Sequence, residues 1–340
     1  MQIAIYLQSI FDMRVTPDYI LKTLCLPKIS RKKAFKLFNS LNYSLSDDNE
    51  WSTFLSEKAS EFQYPKYSKS DYDSAIKKTY DILDKSEKLN IKQISYYDKI
   101  FPILLKNSID SPILLNYIGD FNILNSMPSI AIIGTREPSE YGFQVGMRMS
   151  SLFANFGFNI ISGLATGCDT AGHKGALSNN GKTTAILAHG LDKIYPKENK
   201  MLAAEILEKD GLLISEYPVG QTPFAGHFVE RDRIQAWLSL GIFVVETDIK
   251  GGTMHTVKFA EKADRIISTL NHPPEKHDHP KVNGNQFLIN ERIAIPIATK
   301  NDVESLRDML IEKFNNLSQK EQPPISKPDD LFSSGGIDTN

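Results

Sequence analysis

Between residues 129 and 270 the sequence repeats one unit: a short apolar run, a glycine near its end, then a helical stretch. Ser129-Ile130-Ala131-Ile132-Ile133 is rich in β-branched residues, the pattern of a strand buried on both faces. It stops at Gly134, and after a short polar loop with Thr135 and Arg136 a helix pattern runs over 141–156. The strand pattern returns at 158–161, 183–187, 212–215, 242–246 and 266–270. Helices are expected over 170–177, from Tyr195 to Leu207, over 229–240, and from Lys250-Gly251-Gly252-Thr253 to Lys262. Such alternation calls for parallel neighbours joined by right-handed crossovers. The fold class is therefore α/β: a doubly wound, mostly parallel, Rossmann-like sheet. In these sheets ligands sit outside the carboxyl ends of the strands. A strand, a Gly turn and a helix start offer unpaired backbone N–H groups to an anion, and Arg136 adds a planar fork suited to phosphate. Taken alone, the turn could equally be a structural Gly bend with a surface Arg.

The flanks read differently. Residues 1–65 are helical, with Thr16 before Pro17 and Ser30 as candidate starts. The stretch 24–38 looks like a degenerate helix-hairpin-helix, with Arg31, Lys32, Lys33 and Lys36 on its second helix and Lys28 where a second hairpin glycine is usual. It is either a DNA contact or a solvated charged face. Residues 66–96 read as a connector with a helix over 71–89, followed by a strand at 91–97. The α/β unit is assigned to 97–300, with further edge elements at 286–289 and 293–297. A last helix spans 301–317, and the Pro-, Ser- and Gly-rich tail 318–340 is expected to be disordered. His272, His277 and His279 lie in a Pro-flanked segment that reads as a flexible surface loop rather than a metal site.

Composition narrows the function classes. The formal net charge is −2, so nucleic-acid binding would need a local basic patch. Cys25 and Cys168 have neither metal-ligand spacing nor a disulfide framework, which suits a reducing cytoplasm. No signal h-region or membrane-length apolar run is read, and no metal or cofactor is expected.

The ordered motifs then carry a resemblance. They are Gly134-Thr135-Arg136 with Tyr141-Gly142; Ser162-Gly163-Leu164-Ala165 through Gly167, Asp169 and Ala171-Gly172-His173; Gly190-Leu191-Asp192 with Tyr195-Pro196 and Asn199; and Ser215-Glu216-Tyr217-Pro218 with Gly220 and Pro223. Phe228, Arg231, Arg233-Ile234, Leu238-Ser239, Val245-Glu246 and Gly252-Thr253 with Thr256 complete the set. The chain resembles the DprA/Smf DNA-processing proteins over roughly 97–270. That resemblance implies a Rossmann-like domain that binds single-stranded DNA, protects incoming DNA in natural transformation, helps load a RecA-type recombinase, and forms a homodimer. Carried over by position, the DNA or phosphate site comprises Gly134, Thr135, Arg136, Gly163, Leu164, Lys197, Phe228, Arg231, Arg233, Lys250, Gly251, Gly252 and Thr253. Phe228 would stack on a base, and Arg231 and Arg233 would extend the basic groove. Asp232 stands where Asn is usual, Asp264 where Gly precedes Arg265, and Asn271-His272 replaces Pro-Gly. The winged-helix segment that some members carry at the C-terminus is not read here.

The competing class is a nucleotide sensor or nucleoside-monophosphate hydrolase. In that alignment Phe259 falls where a catalytic Glu is required, and an apolar ring can serve as neither acid nor base. Asp169 reads as a helix cap, Glu246 as a strand-end partner for an Arg, and His173 and His227 as core or groove polar groups. No catalytic residue is assigned.

Overall fold

The computed structural model describes residues 15–276 and 280–320. The remaining tail, His277, His279 and the extreme N-terminus lie outside the described residues. Among the described residues four helices come first: α1 (Pro17–Cys25), α2 (Arg31–Asn39), α3 (Asp48–Glu61) and α4 (Lys69–Lys88). Local chemistry sets their starts. Pro17 takes the first helical turn after Thr16, the Ser30 hydroxyl accepts from the Lys33 amide, and Ser68 with Asp71 forms a reciprocal capping box. Lys28 occupies the hairpin in the left-handed region, φ 62°, which explains why glycine suits that place. Trp51 is fully buried among Ile20, Leu37 and Phe54, and its indole N–H donates to Thr23 Oγ1 at 3.0 Å. Ala75 and Ile82 of α4 join the same buried cluster.

The sheet has nine strands among the described residues: β1 (Lys92–Ser95), β2 (Leu114–Gly119), β3 (Ser129–Ile133), β4 (Asn159–Ser162), β5 (Thr183–Leu187), β6 (Leu212–Ser215), β7 (Gly241–Val244), β8 (Ile266–Leu270) and β9 (Ile295–Ile297). Their spatial order is β1-β2-β6-β5-β4-β3-β7-β8-β9. From β6 through β9 the neighbours are parallel, while β1 and β2 add an antiparallel edge. The intervening helices are α5 (Glu140–Asn155), α6 (Cys168–Ser178), α7 (Lys200–Glu208), α8 (Ala225–Leu238), α9 (Thr253–Lys262), α10 (Asn283–Asn290) and α11 (Lys300–Lys320).

Period-two alternation in β3 divides the core between the two faces. Ile130 and Ile132 pack with Met149 and Phe153 of α5, whereas Ala131 and Ile133 pack with Ile234 and Trp237 of α8 and Val257 of α9. The strand order reverses at β3: the chain winds through β4, β5 and β6 on one side and through β7, β8 and β9 on the other. A crevice therefore opens between the carboxyl ends of β3 and β7.

Several boundaries differ from the sequence expectation. Residues 286–289 form part of α10, not an edge element. The helix places Asn285 beneath the strand ends, where its side chain accepts from the Thr247 amide at 2.9 Å and donates to Val245 O at 2.9 Å and Leu270 O at 3.2 Å. Helix α8 begins four residues before the expected Val229, and β7 ends at Val244, short of the expected Glu246. No helix among the described residues is long and apolar enough to cross a membrane.

Candidate nucleic-acid interface

The turn after β3 is held by its neighbours. The Thr135 amide donates to Glu246 O at 2.7 Å, and the Cys168 amide donates to Thr135 O at 3.1 Å. Only glycine fits at 134, because a Cβ there would stand 2.4 Å from Cys168 Sγ. The expected anion at the start of α5 is present within the chain itself. Glu246 is fully buried, and its carboxylate accepts from the Ser139 amide at 2.7 Å, the Ser139 hydroxyl at 2.6 Å and His272 Nε2 at 3.2 Å. Burial alone would raise its pKa, but the His272 and Ser139 hydrogen bonds outweigh it and leave the carboxyl below its ordinary value. Glu246 thus partners a serine and a histidine rather than an Arg, and His272 is buried rather than part of a surface loop.

A second loop is also closed. Gly163 N and Ala165 N both donate to Asp169 Oδ2, at 3.1 and 3.2 Å. Asp169 lies inside α6, one residue past its start, and folds back on the preceding loop instead of capping the helix. Leu164 adopts φ 60° with its side chain fully buried, so it contributes to the core and not to a binding surface.

The helix start that opens onto the crevice is that of α9. Gly252 precedes it with no side-chain cap, and a Cβ at 252 would meet nothing within 4 Å. Gly251, Gly252 and Thr253 line one wall of a cleft of about 990 Å³ at the crevice between β3 and β7. Gly134, Thr135 and Arg136 line the facing wall. Arg136 is exposed, with its guanidinium 5.2 Å above the half-buried Phe228 ring. A smaller cleft of about 420 Å³ shares Arg136 and Phe228 with the first and reaches Gly163 and Lys197. Lys250 is exposed beside the α9 loop but does not line either cleft.

Of the two arginines expected in the groove, both are buried; Arg231 lines the cleft and Arg233 does not. Arg231 is 4% exposed at the cleft floor, donating to Ile186 O at 3.0 Å and lying 3.3 Å from Asp232 and 3.9 Å from Asp169. Gly163 leaves room for this guanidinium. Arg233 is 3% exposed and donates to both carboxylate oxygens of Glu216, at 2.8 and 2.7 Å, with Asp110 at 3.4 Å. Arg31 of α2 also binds Glu216, and it reaches Glu230 of α8 at 2.8 Å, so it faces the α/β unit.

The sequence reading did not assign Tyr195 and Phe224, which add aromatic area around the clefts. Phe224 is 66% exposed, and Tyr195 is 47% exposed with its ring 5.9 Å from Phe228. The Tyr195-Pro196 pair and the aromatic Phe224 after Pro223 were the available signal. Asp232 also lines the larger cleft, and burial pushes its carboxyl up to about 6, with Arg231 opposing and Asp169 reinforcing the shift.

The chain is similar to several known proteins. A protein Smf of Synechocystis sp. is 36% identical over 199 residues, covering 58% of this chain and 50% of its own length. The DNA processing protein DprA of Streptococcus pneumoniae is 38% identical over 176 residues, covering 52% of this chain and 61% of its own. The matches thus span about half to three-fifths of these relatives. The crystal structure of the S. pneumoniae protein superposes with a TM-score of 0.70 at 28% identity, covering 86% of this chain and 98% of that one. A DNA processing protein A from Helicobacter pylori, described for its single-stranded DNA binding mode, superposes at TM-score 0.57 and 26% identity over 65% of this chain and 96% of its own. The family described as DNA recombination-mediator protein A matches residues 92–307, and the chain belongs to that family.

Proposed function

We propose that this protein binds single-stranded DNA at the crevice between β3 and β7, using Arg136 for phosphate and Phe228 for a base. The observation that carries this reading is the exposed Arg136 lying 5.2 Å over a half-buried Phe228 at the meeting of two clefts. Stacking combined with backbone charge is the chemistry of sequence-tolerant single-strand binding. The H. pylori relative's single-strand binding supports it. In this reading the protein is cytoplasmic and dimeric, shields incoming DNA during natural transformation, and hands it to a RecA-type recombinase. It acts by binding rather than by hydrolysis. Phe259, which aligns with a hydrolase's Glu, packs its ring against Trp237 at 6.0 Å and does not line the cleft.

Two variants separate the roles. Arg136→Ala should weaken single-strand binding and flatten the log–log salt slope by about 0.7, the value for one lost phosphate contact. Phe228→Ala should cost roughly 1–3 kcal/mol of binding while leaving that slope unchanged. Salt titrations of both variants, with thermal melts alongside, read this out. Equal slopes for wild type and Arg136→Ala would sink the phosphate role, and a lowered melting temperature in Phe228→Ala would mean that its ring is part of the core.

A further inference from the structure

Helix α8 has two unlike halves. From Arg231 to Leu238 it is buried, with Asp232 half-buried. Residues 225–230 project from the core: Ala225, Gly226, Val229 and Glu230 are exposed, and His227 and Phe228 are half-buried. Among the described residues no side-chain cap closes this end, and Gly226 is a poor helix former. Phe228 therefore lies on the least supported turn of its helix.

The support comes from the side away from the cleft. Phe228 and Glu230 are two positions apart, roughly 200° around the helix axis, so one faces the cleft and the other faces α2. The Glu230 carboxylate accepts from the Tyr217 hydroxyl at 2.8 Å and from Arg31 Nη2 at 2.8 Å. Burial opposes ionisation of Glu230, but Tyr217 and Arg31 outweigh it and hold the carboxyl below its ordinary value. The His227 ring stacks on the Tyr217 ring at 4.1 Å. Arg31 itself is firmly seated. It opens α2, whose Ala34, Leu37 and Phe38 are buried and whose Phe35 meets Tyr96 edge-on at 4.6 Å. Its Nη1 donates to the buried carboxylate of Glu216.

We propose that Arg31 of the helical domain is a positioning residue for the cleft: through Glu230, and together with Tyr217, it braces the projecting end of α8 so that Phe228 presents its ring. This rests on the single-strand reading above. Arg31 touches no DNA in this arrangement, and the brace serves every strand alike because it acts on the platform and not on the base. The helical domain then contributes to DNA affinity through its contact with α8, with no nucleic-acid surface of its own required.

The test is Glu230→Gln, measured by fluorescence anisotropy with oligo(dT). The variant keeps the shape and can still accept from Tyr217, but it removes the charge that faces Arg31. Charge alone predicts tighter binding, because a carboxylate near a polyanion has been lost. A loosened brace predicts the opposite sign, since the apparent Kd rises as the binding-competent fraction falls. Glu230→Gln should weaken binding about two- to fivefold, the scale of a partly exposed ion pair, with the salt slope unchanged. Amide hydrogen exchange should quicken at residues 227–230 while the urea midpoint of the whole protein stays at its wild-type value. Adding Arg31→Gln to Glu230→Gln should weaken binding little further. Unchanged or tighter binding by Glu230→Gln would overturn the brace and leave single-strand binding standing. A further loss in the double variant with a flatter salt slope would place Arg31 against phosphate, which also overturns it. Failure of wild type to bind the strand would overturn both readings.

Discussion

Glu216→Ala should lower the free energy of unfolding by about 3–5 kcal/mol, the cost of leaving one buried charge without its partner. Glu216 follows directly after β6, and its side chain is 3% exposed. Arg233, equally buried, directs two hydrogen bonds into that carboxylate at 2.8 and 2.7 Å. After truncation, Arg233 retains, among the described residues, Asp110 at 3.4 Å and the face of Trp237 at 5.4 Å, neither a bidentate acceptor. Arg31 loses a carboxylate as well, which loosens the tie between α2 and the α/β unit. Arg31→Ala should cost less, because its side chain is 31% exposed and its second partner Glu230 is 48% exposed, where solvent screens the pair. Urea denaturation of the two variants provides the comparison. A loss below about 1 kcal/mol for Glu216→Ala would show that water reaches the cluster.

Gly142→Ala should be as severe, for a steric reason. An added Cβ would stand 2.3 Å from Glu246 Cδ and 2.4 Å from its Oε1. That carboxylate cannot retreat without breaking its bonds to Ser139 and His272. Displacing it strands a buried charge, again about 3–5 kcal/mol. The pH dependence identifies the cause. Glu246 has a folded-state pKa below the ordinary value of 4.5, so its stabilising effect is complete above that value and disappears as pH falls through the folded-state pKa. The gap between wild type and Gly142→Ala should therefore be widest near neutrality and narrow in acid. A gap that stays constant across the acid range would point to simple overpacking instead.

The layered fold was legible because period-two strands and helical runs alternate within short distances of one another. The turn at 134–136 and Phe228 were legible as chemistry types, and the structure brings them together at one cleft. What could not be read is which charges are already spoken for. Arg233 and Glu216 are 17 residues apart, Arg231 and Asp169 lie on different helices, and Ser139 and Glu246 are 107 residues apart. A sequence shows a cation or a helix start, but the partner that neutralises it arrives through the crossovers. For the same reason the start of α5, which reads in the sequence as an open anion site, has its first amides taken by Glu246 and Ser139, whereas the start of α9 has no side-chain cap.

The cross-strand lacing of the Arg136 turn has a kinetic consequence. Thr135 is tied backbone to backbone both to the β7 loop and to the start of α6, and at Gly167, φ 77°, a Cβ would collide with the Arg136 carbonyl. The turn is thus wedged between two neighbouring segments before any ligand arrives. If a strand docks there as proposed, little chain entropy is left for the turn to lose, and capture should not wait for it to close. In the proposed reading, encounter rates should then follow diffusion, and differences in affinity between strands should appear as differences in residence time.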